Sequence, residues 1–173
     1  MKYNIKAHPT RYNDVLFRSR LEARWAAFFD LAKWEWEYEP IDIYGWTPDF
    51  MAIFPCNHSE CSGSHSLLIE VKPYFIVSDF LGHPCKDYLW GVKACYATYN
   101  FCENRDNCEY KTDTCKTYEI PADSSAGFGA NPITTYWQMS HGAGGGEYSV
   151  DCWVHNSLFL WKRAGEIVQY VKS

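Results

Sequence analysis

The chain has 173 residues, 47% of them hydrophobic and 18% aromatic, and its net charge at pH 7 is −5. This length fits one domain with room for a small additional lobe, and this apolar content can build a core. The negative charge argues against non-specific binding of nucleic acid by the whole surface. We expect no membrane span and no signal peptide, because the sequence lacks the long apolar runs that either needs. We therefore expect a cytosolic protein whose 8 cysteines are reduced.

Charge is unevenly distributed along the chain. The first 33 residues carry seven lysines and arginines against three acidic residues, so the remainder is strongly acidic. A basic N-terminal helix on an acidic body predicts a surface that faces phosphates. A solvated helix face explains the same pattern without any ligand, and charge alone leaves both interpretations open.

The first part of the chain predicts a helix followed by strands. Apolar residues recur at helical spacing over 13–34, and Asn13 or Asp14 can cap the start of this helix. Pro48 suits the first position of a strand, because proline cannot donate to a ladder. Alternating apolar and polar residues predict three strands, over 35–45, 47–54 and 66–73.

The rest of the chain predicts further elements of both kinds. A weaker helical pattern covers 85–102, and 123–132 is typical of a loop. The other predicted elements are a strand over 117–122, a hairpin over 133–154 with arms at 133–139 and 148–154, and a C-terminal helix over 157–173. This order indicates a mixed α/β domain around a central sheet.

The third predicted strand, within HSLLIEVKP, carries two opposite charges on one face. Glu70 and Lys72 share that face about 7 Å apart, whereas Leu67, Ile69 and Val71 share the other. Such a pair on a strand is often only solvated charge. A carboxylate and an ammonium held side by side can also serve chemistry.

A second carboxylate, Asp49, follows Pro48 in the preceding predicted strand. If the two strands are neighbours, Asp49 and Glu70 meet at one end of the sheet and attract a hard cation such as Mg²⁺. A nearby Lys72 can stabilise developing charge, so the set is suited to metal-assisted phosphodiester hydrolysis. A proline–aspartate pair alone is also common in turns.

Three segments together, RSRLEARWAAFFD, TPDF and LLIEVKP, resemble the PD-(D/E)xK nuclease superfamily, with most similarity to small phage and bacterial members. The resemblance covers residues 11 to about 75. It implies a restriction-endonuclease-like fold, a central mixed sheet flanked by helices in the order α-β-β-β-α-β. We accordingly expect a single nuclease domain over 1–173 with its core at 11–120, in a bacterial or phage-infected cell, and the hairpin and last helix as additions.

The resemblance also implies roles for individual residues. Glu22, Asp49, Glu70 and Lys72 correspond to the catalytic positions of the family. Asp49, Glu70 and the backbone carbonyl of Val71 would bind Mg²⁺ or Mn²⁺, with Glu22 as a further contact. Glu22 can instead form a surface ion pair with an arginine one turn away.

By the same resemblance we expect a DNA endonuclease, structure-specific in the manner of resolvases. Arg18, Arg20 and Arg24 would meet DNA phosphates, although surface solvation explains each of them equally well. A homodimer is a further expectation, since many relatives dimerise. An exonuclease on the same fold is the first alternative, weakened by the absence of a glutamine from KACYATY. A non-catalytic, zinc-stabilised DNA- or protein-binding module is the second.

The loop over 56–65 carries four candidate zinc ligands, Cys56, His58, Cys61 and His65. A polar loop without its own core gains order from a structural Zn²⁺. Free loop thiols explain the same residues without a metal. A second candidate group, under the same alternative, comprises Cys85, Cys95, Cys102, Cys108 and Cys115.

Overall fold

The computed structural model describes residues 7–43, 46–86 and 122–169, together with the backbone of 93–95 and 117–119. This part of the chain forms a mixed α/β fold in which a six-stranded mixed sheet packs against two helices. Neither helix is long and apolar enough to cross a membrane. The mixed α/β class expected from the sequence is confirmed.

In the described residues one helix follows the first two strands, and the other helix comes after all the remaining strands. The elements are β1 (Thr10–Tyr12), β2 (Val15–Phe17), α1 (Arg20–Ala32), β3 (Glu35–Tyr38), β4 (Phe50–Pro55), β5 (Ser64–Val71), β6 (Lys93–Cys95), β7 (Thr117–Glu119), β8 (Ser124–Phe128), β9 (Thr135–His141), β10 (Gly144–Tyr148) and α2 (Ser157–Gln169). Short 3-10 turns occupy Val77–Phe80, Pro84–Lys86 and Val150–Cys152.

The six-stranded sheet runs in the order β10-β9-β8-β5-β4-β3. Its neighbours are antiparallel except for β5 and β8, which are parallel and therefore need a long crossover between them. The strands β1 and β2 form a separate pair, as do β6 and β7. The late hairpin is thus part of the main sheet, and the sheet extends beyond the expected core at 11–120.

The first helix begins later than predicted, because Ser19 caps it. Its hydroxyl accepts a hydrogen bond from the backbone N–H of Glu22 at 3.2 Å, in the S-x-x-E pattern of a capping box. Asn13 and Asp14, the predicted caps, instead form the turn between β1 and β2. Both adopt left-handed backbone angles there, which asparagine and aspartate tolerate better than most residues.

The core lies between the sheet and the two helices and is largely aromatic. Trp25 of α1 contacts Phe128 and Trp161, with ring centroids 4.7 and 4.4 Å apart respectively. The indole N–H of Trp25 donates to the carbonyl of Gly129 at 3.0 Å, so its polar group is satisfied. This packing fixes α1 against the sheet, and α2 against α1.

The strand β5 is buried on both faces. Leu67 and Ile69 face the helices, whereas Leu68 packs on the opposite side with Phe80. The predicted alternation is therefore confirmed, and it places Glu70 on the face opposite the helices.

Two regions differ from the sequence-based predictions. The segment predicted as a loop contains β8, a strand rich in small residues that pairs parallel to β5. The side chains of β8 must be small where the ring of Phe80 packs against the strand, because a Cβ at Gly127 would lie only 2.8 Å from that ring. The predicted strand over 117–122 is present as β7, which pairs with β6 outside the six-stranded sheet.

The second arm of the hairpin is β10, and the residues after it turn into a 3-10 segment at Val150–Cys152. The predicted helix over 85–102 is wrong at 93–95, which form a strand, and at Cys85 and Lys86, which belong to the 3-10 turn Pro84–Lys86. Residues 87–92 and 96–102 lie outside the described residues, as do the side chains of Cys95, Cys102, Cys108 and Cys115 in the second candidate zinc group. The C-terminal helix is confirmed as far as Gln169.

Candidate functional site

Asp49 lies directly before β4 and is 1% exposed. The antiparallel register of β4 and β5, extended by one step, places it opposite Glu70. Its Oδ2 accepts a hydrogen bond of 2.7 Å from the backbone N–H of Val71, and its Oδ1 accepts one from Arg18. The two strands predicted to be neighbours therefore bring these carboxylates to one end of the sheet.

Glu70 is buried near the end of β5 and has partners on both oxygens. Its Oε2 accepts a hydrogen bond of 2.5 Å from the indole N–H of Trp46. Its Oε1 contacts the ammonium of Lys72 and lies 3.4 Å from Nε2 of His83. A buried carboxylate is costly unless it is paired and hydrogen-bonded, and these contacts meet that requirement.

Glu22 is the third buried carboxylate and comes from the first turn of α1. Its Oε1 accepts a hydrogen bond of 2.7 Å from the hydroxyl of Ser19, and its Oε2 accepts one of 2.6 Å from Tyr38. The guanidinium of Arg18, with Nε 3.9 Å from Oε2 of Glu22, also contacts Asp49. Arg18 therefore joins the helix carboxylate of Glu22 to the carboxylate of Asp49.

The carboxylates of Asp49 and Glu70 have pKa values shifted in opposite directions. Burial, reinforced by the negative charge of Glu70, raises the pKa of Asp49 to about 7. Burial also opposes ionisation of Glu70, but His83, Lys72 and Trp46 outweigh it, and the pKa of Glu70 is lowered. Glu70 is therefore ionised at neutral pH, whereas Asp49 ionises near neutral pH. Two interacting carboxylates whose pKa values are shifted in opposite directions are typical of functional sites.

Lys72 follows β5 and keeps its charge. Burial opposes protonation, but the carboxylates of Glu70 and Asp49 outweigh it and raise the pKa of Lys72. Its side chain remains 36% exposed, so the ammonium is reachable from solvent. The carbonyl of Val71 points to the same side of the strand as its N–H, which contacts Asp49.

The three arginines predicted to meet DNA have different surroundings. Arg18 is 57% exposed at its side chain and lies beside Asp49, and Arg20 is exposed at the start of α1. Arg24 instead packs between the helices. It donates two hydrogen bonds, of 3.1 and 2.7 Å, to the carbonyl of Trp161, and its guanidinium lies 4.0 Å from that ring. These contacts give Arg24 a structural role between the helices, and its contact with DNA stays a prediction.

His83 and Trp46 complete the surroundings of Glu70, and the sequence-based analysis missed both. Each lies in an irregular segment, where no periodic pattern predicts the direction of a side chain. They can be identified only once the fold brings these segments against β5.

A separate group of potential metal ligands lies at the other end of β5. One ligand atom from each of Cys56, Cys61, His65 and His141 lies within 4.8 Å of the others, so the group could hold a metal ion. Three of these residues match the predicted zinc set. His58, the fourth predicted ligand, lies beside the group with its ring centroid 5.0 Å from that of His141, which takes its place.

Comparison of the chain with protein-family models, with curated proteins and with solved structures found no match.

Proposed function

We propose that this chain is a divalent-metal-dependent DNA nuclease of PD-(D/E)xK type with a restriction-endonuclease-like core. The observation that carries the proposal is the meeting of Glu22, Asp49 and Glu70 beside the ammonium of Lys72. Three buried carboxylates destabilise a fold unless cations compensate them. A function that needs them together explains best why they converge at one end of the sheet.

The donor set fits a hard cation such as Mg²⁺ or Mn²⁺. Asp49, Glu70 and the carbonyl of Val71 offer oxygen ligands, which these ions prefer, and Glu22 is available to hold a coordinated water. A divalent ion bound there would polarise a phosphodiester and lower the pKa of a water molecule.

Lys72 acts in this proposal as an electrostatic group and not as a base. Its raised pKa keeps it protonated at neutral pH, so its ammonium stabilises negative charge that develops on the phosphate. Arg18 has a second role. When Asp49 serves as a metal ligand, the exposed guanidinium of Arg18 is released to contact a DNA phosphate.

Cleavage assays with purified protein test the proposal. Supercoiled plasmid, linear duplex and branched DNA are each incubated with Mg²⁺ or Mn²⁺ and with Asp49→Asn, Glu70→Gln and the wild type. We expect metal-dependent cleavage by the wild type and its loss in both variants. Glu37→Gln is the matched control, because Glu37 is an exposed carboxylate of β3 outside the site.

The substrate series also separates the forms of nuclease. Nicking of a closed circle indicates an endonuclease, and a preference for branched DNA indicates structure specificity. Degradation from linear ends alone would instead favour an exonuclease. Light scattering of the purified protein tests the proposed homodimer. Wild-type cleavage rates in both Asp49→Asn and Glu70→Gln would refute the proposed site.

A second candidate is a non-catalytic, zinc-stabilised module that binds DNA or protein. The cysteine–histidine group favours it, because structural metal groups stabilise many small binding modules. DNA binding by the wild type without any cleavage, unchanged in Asp49→Asn, would support this candidate over the nuclease.

A further inference from the structure

Cys56, Cys61, His65 and His141 come from three parts of the chain, which are the loop after β4, the start of β5 and the end of β9. We propose that these four side chains bind one structural Zn²⁺ ion that ties this loop to the hairpin of β9 and β10. Two thiolates and two imidazoles form a closed tetrahedral ligand set of the kind that structural zinc takes. The proposal does not depend on the nuclease function.

His65 provides the most direct support. The side chain of His65 is only 7% exposed, and its buried Nε2 has no hydrogen-bond partner among the described residues. A buried polar atom normally has such a partner. The other ring nitrogen of His65, Nδ1, lies 3.1 Å from Oδ2 of Asp123. A histidine that ligates zinc usually holds a carboxylate with its second nitrogen in this way, which leaves Nε2 directed at the ion.

The two cysteine sulfurs have the surroundings of metal thiolates. The backbone N–H of His58 donates to Sγ of Cys56 at 3.4 Å, and that of Gly142 donates to Sγ of Cys61 at 3.3 Å. Sγ of Cys56 lies 3.4 Å from Nε2 of His141. Zinc bond lengths and a tetrahedral angle predict about 3.5 Å between a sulfur and a nitrogen that share one ion.

The ion would connect the loop after β4 to the turn between β9 and β10. Residues 57–60 of the loop are exposed, so the loop has little core of its own. The hairpin turn nevertheless packs closely on it, and a Cβ at Gly142 would lie 2.7 Å from the ring of His58. A bound metal supplies the free energy that orders such a loop.

The proposed zinc group is structural and remote from the carboxylates. Glu70 lies five positions after His65, which is about 17 Å along β5. All four positions of the tetrahedron are filled by protein, so no open position remains for a substrate. Loss of this ion and loss of the carboxylate site can therefore be measured separately.

Zinc content of the full-length protein tests the ligand set. Each variant is purified with added Zn²⁺, and bound zinc is counted by mass spectrometry. Relative to the wild type, we expect His141→Ala to lose about one zinc per chain and His58→Ala to lose none. The result is a difference between variants, because cysteines outside the described residues can bind zinc as well. Equal zinc in His141→Ala and the wild type, or a loss in His58→Ala alone, would overturn the assignment.

A second measurement uses the unmodified protein and does not depend on the folding of a variant. Cys61 is partly exposed, so a thiol reagent can reach it, and Cys152 is exposed and outside the group. We expect a zinc chelator to accelerate alkylation of Cys61 and to leave the rate at Cys152 unchanged. Equal rates at Cys61 with and without chelator would overturn the proposal, whatever the nuclease assays give.

Discussion

Replacement of Lys72 by methionine separates a role in stability from a role in chemistry. The change removes the ammonium beside Glu70 and leaves that carboxylate buried with Trp46 and His83. Breaking a fully buried ion pair costs about 3–5 kcal/mol. Because the Lys72 side chain is 36% exposed and two partners remain, we reduce the expected cost to about 1–2 kcal/mol.

For a chain of this size, that loss corresponds to a fall in Tm of about 2–8 °C. Mn²⁺ should raise the Tm of Lys72→Met more than that of the wild type, because a divalent ion replaces the missing positive charge. Cleavage should remain absent even in the metal-stabilised variant. Thermal unfolding with and without Mn²⁺, together with plasmid cleavage, measures both effects, and Lys162→Met on the exposed face of α2 is the control. The reasoning is refuted if Lys72→Met cleaves DNA at the wild-type rate, or if Mn²⁺ stabilises both proteins equally.

Three further predictions concern the ionisation of the site and the packing around it. Because the pKa of Asp49 is raised to about 7, a proton competes with the cation below that pH, and the apparent Mn²⁺ affinity should fall about tenfold for each pH unit below it. Calorimetry measures this affinity, and an affinity that does not change with pH across this range would contradict the assignment. Arg24→Lys keeps the charge but loses the paired hydrogen bonds to Trp161, so the free energy of unfolding should fall by about 1 kcal/mol while DNA affinity stays unchanged. Weaker DNA binding by this variant would argue against a purely structural role of Arg24. Gly127→Ala forces a Cβ to within 2.8 Å of the ring of Phe80 and should cost about 1–3 kcal/mol in thermal unfolding, whereas an unchanged Tm would show that the ring can move.

The meeting of Asp49 and Glu70 could be predicted from the sequence because regular elements position both residues. Strand alternation set the faces of β5, and the antiparallel register then brought Asp49 opposite Glu70. Glu22 was expected at the site only through the family resemblance, and the first turn of α1 places it beside Arg18. The correct start of that helix was also available, since Ser19 and Glu22 form a capping-box pattern.

Other parts depend on tertiary contacts that no local pattern reports. The strand β8 contains mainly serine, alanine and glycine, which have little strand propensity, and it forms because β5, β9 and Phe80 enclose it. His141 lies far along the chain from the loop that supplies the two cysteines. Only the pairing of β9 into the main sheet brings it to them.

The separation of the two sites along β5 has a consequence for how this protein can change. The loop between β4 and β5 leaves the sheet at the end that is distant from Asp49 and Glu70. An antiparallel pair can be joined by a two-residue turn, so this segment can be shortened, lengthened or exchanged for another module while the strand pairing persists. New binding properties can therefore arise at one end of the sheet without any change in the carboxylates at the other.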